Sequence, residues 1–183
     1  DAAVLIEAPV DEVLVVRDCG VKRDDEPAHP PDLGSGDRVD VLAWDRGVRG
    51  AVQGRSGPDL MAATTSMLAR VQASLVETDW TRLHAEITRR ARHRSLVVLL
   101  TALDPAPLRH GVLPVLPQLT RRHLVTLAAV SDPSVTDMLP DRRSLTSTYR
   151  AAAAAGFVRE RRAAADQLTR ARVEVVDALP DDL

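Results

Sequence analysis

The run Arg94-Ser95-Leu96-Val97-Val98-Leu99-Leu100-Thr101 limits what this chain can fold into more than any other stretch. Its apolar middle does not alternate. An arginine-rich helical pattern precedes it, and Pro105 and Pro107 follow. An unbroken apolar run of this length, bounded in this way, reads as a strand buried on both faces. Such strands belong to sheets with helices packed against them, so the run predicts a soluble α/β domain. The 183 residues suit one domain with a single core.

The other elements can be read around that strand. Val13-Leu14-Val15-Val16 is a strand ending at Asp18. Residues 19–36 carry charges, Pro27, Pro30, Pro31 and Gly34-Ser35-Gly36, with no helical stripe, and read as an irregular Pro-rich loop. Arg38 to Trp44 and Val48 to Val52 form a hairpin turning at Asp45-Arg46-Gly47. Ser56-Gly57-Pro58-Asp59 starts a helix whose stripe is Met61, Thr64, Leu68, Val71 and Leu75. Thr78 or Asp79 caps the next helix, with Trp80, Leu83, Ile87 and Ala91 facing inward. A Pro-punctuated segment, 105–119, leads to a short helix near Val115 to Arg121. Leu124 to Val130 is a second buried strand, stopped by Ser131-Asp132-Pro133. A long helix from Thr146 to Arg170 places Tyr149, Phe157 and Leu168 in the core, and Val173-Glu174-Val175-Val176 closes the sheet. The alternation predicts a mostly parallel sheet with helices on both faces and one antiparallel strand at an edge.

Composition narrows the function classes. A formal net charge of −2 with interspersed signs lacks the basic excess of a bulk nucleic-acid binder. Aromatic residues make up 2% of the chain, too few for a base-stacking platform. No stretch approaches the ~20 apolar residues of a bilayer span. The single cysteine, Cys19, excludes an internal disulfide.

Motif-like fragments read as ordinary structure. Gly34-Ser35-Gly36 precedes a strand, whereas a phosphate loop follows one and opens a helix. His84-Ala85-Glu86 has the form of half a zinc-deaminase signature, without the cysteine pair that would complete it. The histidines show no ligand spacing, and no nucleophile is paired with a base.

Several stretches in a fixed order carry a family resemblance. They are Gly36-Asp37-Arg38-Val39-Asp40-Val41-Leu42-Ala43-Trp44-Asp45-Arg46, Val76-Glu77-Thr78-Asp79-Trp80 and Arg94 to Leu103. Leu113-Pro114-Val115-Leu116-Pro117-Gln118-Leu119, Tyr149-Arg150-Ala151-Ala152-Ala153 and Val173 to Ala178 complete the series. The series resembles the von Willebrand factor A-like region of the bacterial family called domain of unknown function fifty-eight, in an actinobacterial style of usage. It covers residues 36–183.

The resemblance implies one Rossmann-like, three-layer α/β sandwich over residues 1–183, part of a longer membrane-anchored protein. It implies a non-catalytic adaptor or co-chaperone that works with a MoxR-type AAA+ ATPase at the cytoplasmic face of the cell membrane. It places the partner-binding face at the carboxyl ends of the strands, with Asp18, Thr78, Asp79, Trp80, Ala102 and Asp104 as candidate residues. Such folds often hold Mg²⁺ there through oxygen ligands. Here Asp18 and Thr78 match the family's ligand set, but Gly20, Lys22 and Ala102 replace its other oxygens. The site is degenerate, and no cofactor is expected. Residues 19–36 stand where the family has its first helix, so one face of the sheet should be left open or covered by something else. Two alternatives stay open: a hydrolase or nucleotide-dependent enzyme of doubly wound fold, and a degenerate structural remnant.

Overall fold

The structure, a computed structural model, describes residues 12–17, 39–72, 74 and 76–179, and for residues 12–17 the backbone only. Its centre is a six-stranded sheet in the order β3-β2-β1-β4-β5-β6. The strands are β1 (Glu12–Arg17), β2 (Val39–Trp44), β3 (Val48–Arg55), β4 (Leu96–Leu100), β5 (Leu124–Val130) and β6 (Glu174–Ala178). Helices α1 (Gly57–Leu68) and α2 (Trp80–Arg90) lie between β3 and β4. Between β4 and β5 the chain winds through one turn of α3 (Pro105–Pro107), a π-helical turn (Leu108–Val112) and α4 (Leu113–Thr120). Helices α5 (Pro133–Met138) and α6 (Leu145–Arg170) join β5 to β6.

The fold is mixed α/β, and its sheet is less parallel than the sequence suggests. β4, β5 and β6 run parallel, and β3 is the expected antiparallel edge. β1, however, is antiparallel to both of its neighbours, β2 and β4. The physical reason lies in the connection to β2. A parallel pair needs a crossover of a dozen or more residues over a sheet face, usually a helix, whereas an antiparallel pair needs none. The sequence from 19 to 36 has no helical stripe to offer. Residues 19–36 themselves lie outside the described residues.

Two apolar clusters hold the layers together. On one face Leu42, Trp44, Val97, Leu99, Val125, Leu127 and Ala129 pack under Trp80, Leu83 and Ile87 of α2, Leu116 and Leu119 of α4, and Ala164 and Leu168 of α6. On the other face Val39, Val41, Ala43 and Val52 pack against Leu60 and Leu68 of α1. Among the described residues the second face is covered only at its β2–β3 end. Along β4 and β5 the burial alternates, so the expectation of strands buried on both faces is corrected. Val97 and Leu99 are buried, whereas Leu100, Leu124 and Val130 are 40%, 54% and 48% exposed. Right-handed crossovers that step in one direction, β4 to β5 to β6, put their helices on the same face. The opposite face of those strands therefore gets no cover from them.

The local readings fare unevenly. The stripe Trp80, Leu83, Ile87 and Ala91 is buried as expected. In and just after α1, Leu68 and Val71 of the expected stripe are buried, but Met61 is 51% exposed and Leu60 is buried in its place. Leu75 lies outside the described residues. Residues 105–120 are almost entirely helical, because Pro105 and Pro114 stand in first turns, where no amide hydrogen is required. In α6 the packed residues are Ala151, Ala154, Arg161, Ala164 and Leu168. Leu168 is in the core as expected, but Tyr149 (70% exposed) and Phe157 (40%) are not: over most of its length the helix packs on alanines and leaves these two rings outside. No helix among the described residues is long and apolar enough to cross a membrane.

Candidate functional site

At the edge where β2 ends, the turn Asp45-Arg46-Gly47 meets the start of α2. Asp45 is buried, and its carboxylate accepts from the amides of Arg46 and Gly47, as an Asp opening a tight turn does. Its carbonyl accepts from the amide of Asp79 at 2.9 Å. The carbonyl of Asp79 accepts in turn from Trp44 Nε1 at 3.3 Å. Through these bonds the β2–β3 turn fixes the position at which α2 begins.

Asp79 is the N-cap of α2. Its Oδ1 accepts from the amide of Arg82 at 2.9 Å, and its Oδ2 lies 3.3 Å from Arg82 Nε. The next residue, Trp80, is 7% exposed and packs in the main cluster. Its ring lies against the π-helical turn at Gly111, where a Cβ would come 2.2 Å from Trp80 Cδ1. A side chain at 111 could not coexist with the indole in this position, so the glycine lets the turn come close.

These contacts frame an open recess of about 570 Å³. Arg46, Glu77, Thr78, Arg82 and His110 line it, with Pro114 and Val115 along one wall. It is a polar hollow of mixed charge over a rigid aromatic floor. No pairing of nucleophile with base appears among its lining residues.

The candidate residues read from sequence divide into three groups. Thr78, Asp79 and Trp80 line the recess together. Asp79 spends its carboxylate on the cap and on Arg82, and Trp80 is buried, so Thr78 is the one most available to a partner. Ala102 and Asp104 are exposed beyond the end of β4 but do not line the recess. Asp104 caps α3 without a side-chain hydrogen bond. Asp18 lies outside the described residues. Arg17, immediately before it, pairs with Val39 and Leu96, at the edge where β2 and β4 begin. The reversal of β1 thus puts Arg17 at the opposite end of the strands from the Asp45 turn and the Asp79 amide that bonds to it. Among the described residues no group of three or more His, Cys, Asp or Glu side chains is arranged to hold a metal ion.

Arg46, His110 and Gly111 were not recognisable as site residues in sequence. Asp45-Arg46-Gly47 carried a turn signal, but nothing in it pointed to a recess, and only the fold brings residues 110 and 111 beside 78 and 80. Comparisons with protein-family models, curated proteins and solved structures return no match for the chain.

Proposed function

We propose that the chain is a non-catalytic protein-interaction module whose recess at the end of β2 receives a partner protein, with a MoxR-type AAA+ ATPase as the partner implied by the resemblance. In a longer protein the module would act at the cytoplasmic face of the cell membrane. One observation carries this reading. Arg46, Glu77, Thr78, Arg82 and His110 surround an open hollow whose base is fixed by the bonds among Trp44, Asp45 and Asp79. Charges of both signs around a rigid base suit a complementary protein surface, since such groups set specificity and register. Because the base is already ordered, little side-chain freedom would be lost on binding.

The test is a pull-down of residues 1–183 against that ATPase, with Mg²⁺ and with chelator, for the wild type and for Arg46→Glu and Thr78→Arg. Capture by the wild type in both buffers, weakened by both substitutions, supports a metal-independent adaptor acting through the recess. Capture lost on chelation would restore a metal to the site. A folded chain that captures nothing in either buffer would end the adaptor reading.

A further inference from the structure

A second surface lies along the edge strand β3. Among the described residues β3 has β2 on one side only, so its outer backbone donors and acceptors are unpaired by the sheet. Of its residues only Val52 is buried. The β2–β3 register shifts near both ends, between Val39 and Val41 and between Ala43 and Trp44. Between those shifts Gly50, Ala51 and Val52 form a regular stretch. Side chains of a strand point off the faces of the sheet rather than out of its edge, and Gly50 faces α1, where a Cβ would meet the Met67 side chain.

Alongside this edge, β3 and α1 enclose a recess of about 490 Å³. Arg49, Arg55 and Arg70 line it, with Gln53 and Ser66 between them, and no carboxylate does. Three guanidinium groups around one hollow contrast with the chain's formal net charge of −2. Arg49 shares its charge with Asp45 at 3.4 Å. Arg70 uses Nε on the carbonyl of Ser66, which leaves its terminal nitrogens to point elsewhere. The Arg55 side chain has no hydrogen-bond or ionic partner among the described residues. Arginine forks of this kind match carboxylates in bidentate geometry.

We propose that β3 and α1 form a docking groove for an extended acidic segment of a partner protein, which adds to β3 as a further strand and seats carboxylates on Arg55 and Arg70. Strand addition supplies the main-chain bonds, and the arginines select an acidic sequence. This surface is separate from the recess beside Trp80, so either proposal can fail without the other.

The experiment is fluorescence anisotropy of the full 183-residue chain with a labelled peptide of alternating Val and Glu. The comparison probes are its Val/Gln counterpart and the acidic peptide N-methylated at alternate residues. The acidic peptide is expected to bind and the neutral one to bind about ten-fold or more weakly, with Arg55→Glu and Arg70→Gln each weakening binding several-fold. N-methylation should abolish binding, because it removes the amide hydrogens of one strand edge. Circular dichroism checks that the variants are folded. Binding that ignores N-methylation, or that a single-stranded oligonucleotide of equal charge matches, would overturn the proposal in favour of plain charge attraction. Arginines that merely guard an exposed edge would give no binding at all, which also overturns it. So would binding that appears only after Asp24, Asp25 and Glu26 are changed to amides, because the groove's occupant would then be this chain's own acidic run.

Discussion

Replacing glycine by alanine inside a helical segment usually stabilises a protein by about 0.4–1 kcal/mol, because the unfolded chain loses freedom. Two glycines here should respond with opposite signs. Gly156 lies within α6, and a Cβ there meets nothing within 4 Å. Gly156→Ala is therefore expected to gain about 0.5–1 kcal/mol. At Gly111 the new Cβ would stand 2.2 Å from Trp80 Cδ1 and 2.4 Å from Nε1. The indole is 7% exposed, and it belongs to a rigid ring rather than the free end of a flexible chain. Relief needs movement of the ring or of the π-helical turn. Overpacking of this kind costs about 1–3 kcal/mol, which exceeds the gain from reduced unfolded-state freedom. Gly111→Ala should therefore destabilise by about 1–2 kcal/mol net. For a chain of this size that lowers Tm by about 2–8 °C, while Gly156→Ala raises it by about 1–4 °C. Thermal and urea unfolding of both variants, with Trp fluorescence as one probe, measures the two effects. A Trp80→Ala background sharpens the test, because removing the ring should cancel the penalty at 111. If Gly111→Ala matches Gly156→Ala in sign, the Trp80–Gly111 contact does not form as described.

Other outcomes follow from single interactions. Arg161, 8% exposed, donates to both carboxylate oxygens of Asp177 at 2.9 and 2.7 Å and to the carbonyl of Val130 at 3.1 Å, tying α6 to β5 and β6. Arg161→Ala should cost about 2–3 kcal/mol, and Arg161→Lys should recover part of it; a loss under about 0.5 kcal/mol in chemical denaturation would refute this role. Asp79→Ala removes the cap of α2 and should cost about 1 kcal/mol, while also weakening capture through the neighbouring recess. Hydrogen bonds from Arg89 and Arg90 outweigh partial burial and lower the Glu86 carboxyl from 4.5 to about 2. Its stabilisation is thus complete above pH 4.5 and is lost as the pH falls toward 2, a slope that Glu86→Gln should flatten in acid unfolding curves. His123 is 4% exposed with neither ring nitrogen bonded among the described residues, and burial, Arg122 and His84 hold its pKa below the usual 6.5. The unfolded chain takes up the proton first, so stability should fall as the pH drops through 6.5, and His123→Leu should remove that part of the Tm profile.

Periodic features were legible in the sequence, and directional ones were not. Leu96 to Leu100 and Leu124 to Val130 declare strands by run length, and Trp80, Leu83, Ile87 and Ala91 declare a buried helix face by their spacing. Asp79 announces its cap because capping is local. The direction of β1 leaves no such trace: Val13 to Val16 reads the same whichever way the strand runs, so its antiparallel pairing with β2 and β4 could not be read from it. Tyr149 and Phe157 were read as core because large apolar residues usually are, but α6 packs on its alanines. The Trp80–Gly111 fit depends on two segments that meet only after the sheet forms. The basic groove likewise depends on α1 bringing Arg70 beside Arg49 and Arg55.

The position of β1 also bears on how the molecule assembles. It sits in the middle of the sheet, yet Val13 must find Leu100, and Arg17 must find Leu96, across most of the intervening chain. Closing such a distant pairing costs loop entropy before it returns any contact. During synthesis β1 leaves the ribosome before β4 and waits for its inner partner until residues 96–100 emerge. β2 and β3 can pair meanwhile, because their hairpin is local. The slow step of folding should therefore be the joining of the β2–β3 hairpin with its α1 to the β4–β5–β6 half, with β1 as the seam. Until that seam closes, each half presents an unpaired inner strand, which makes this the stage at which the chain is most exposed to aggregation.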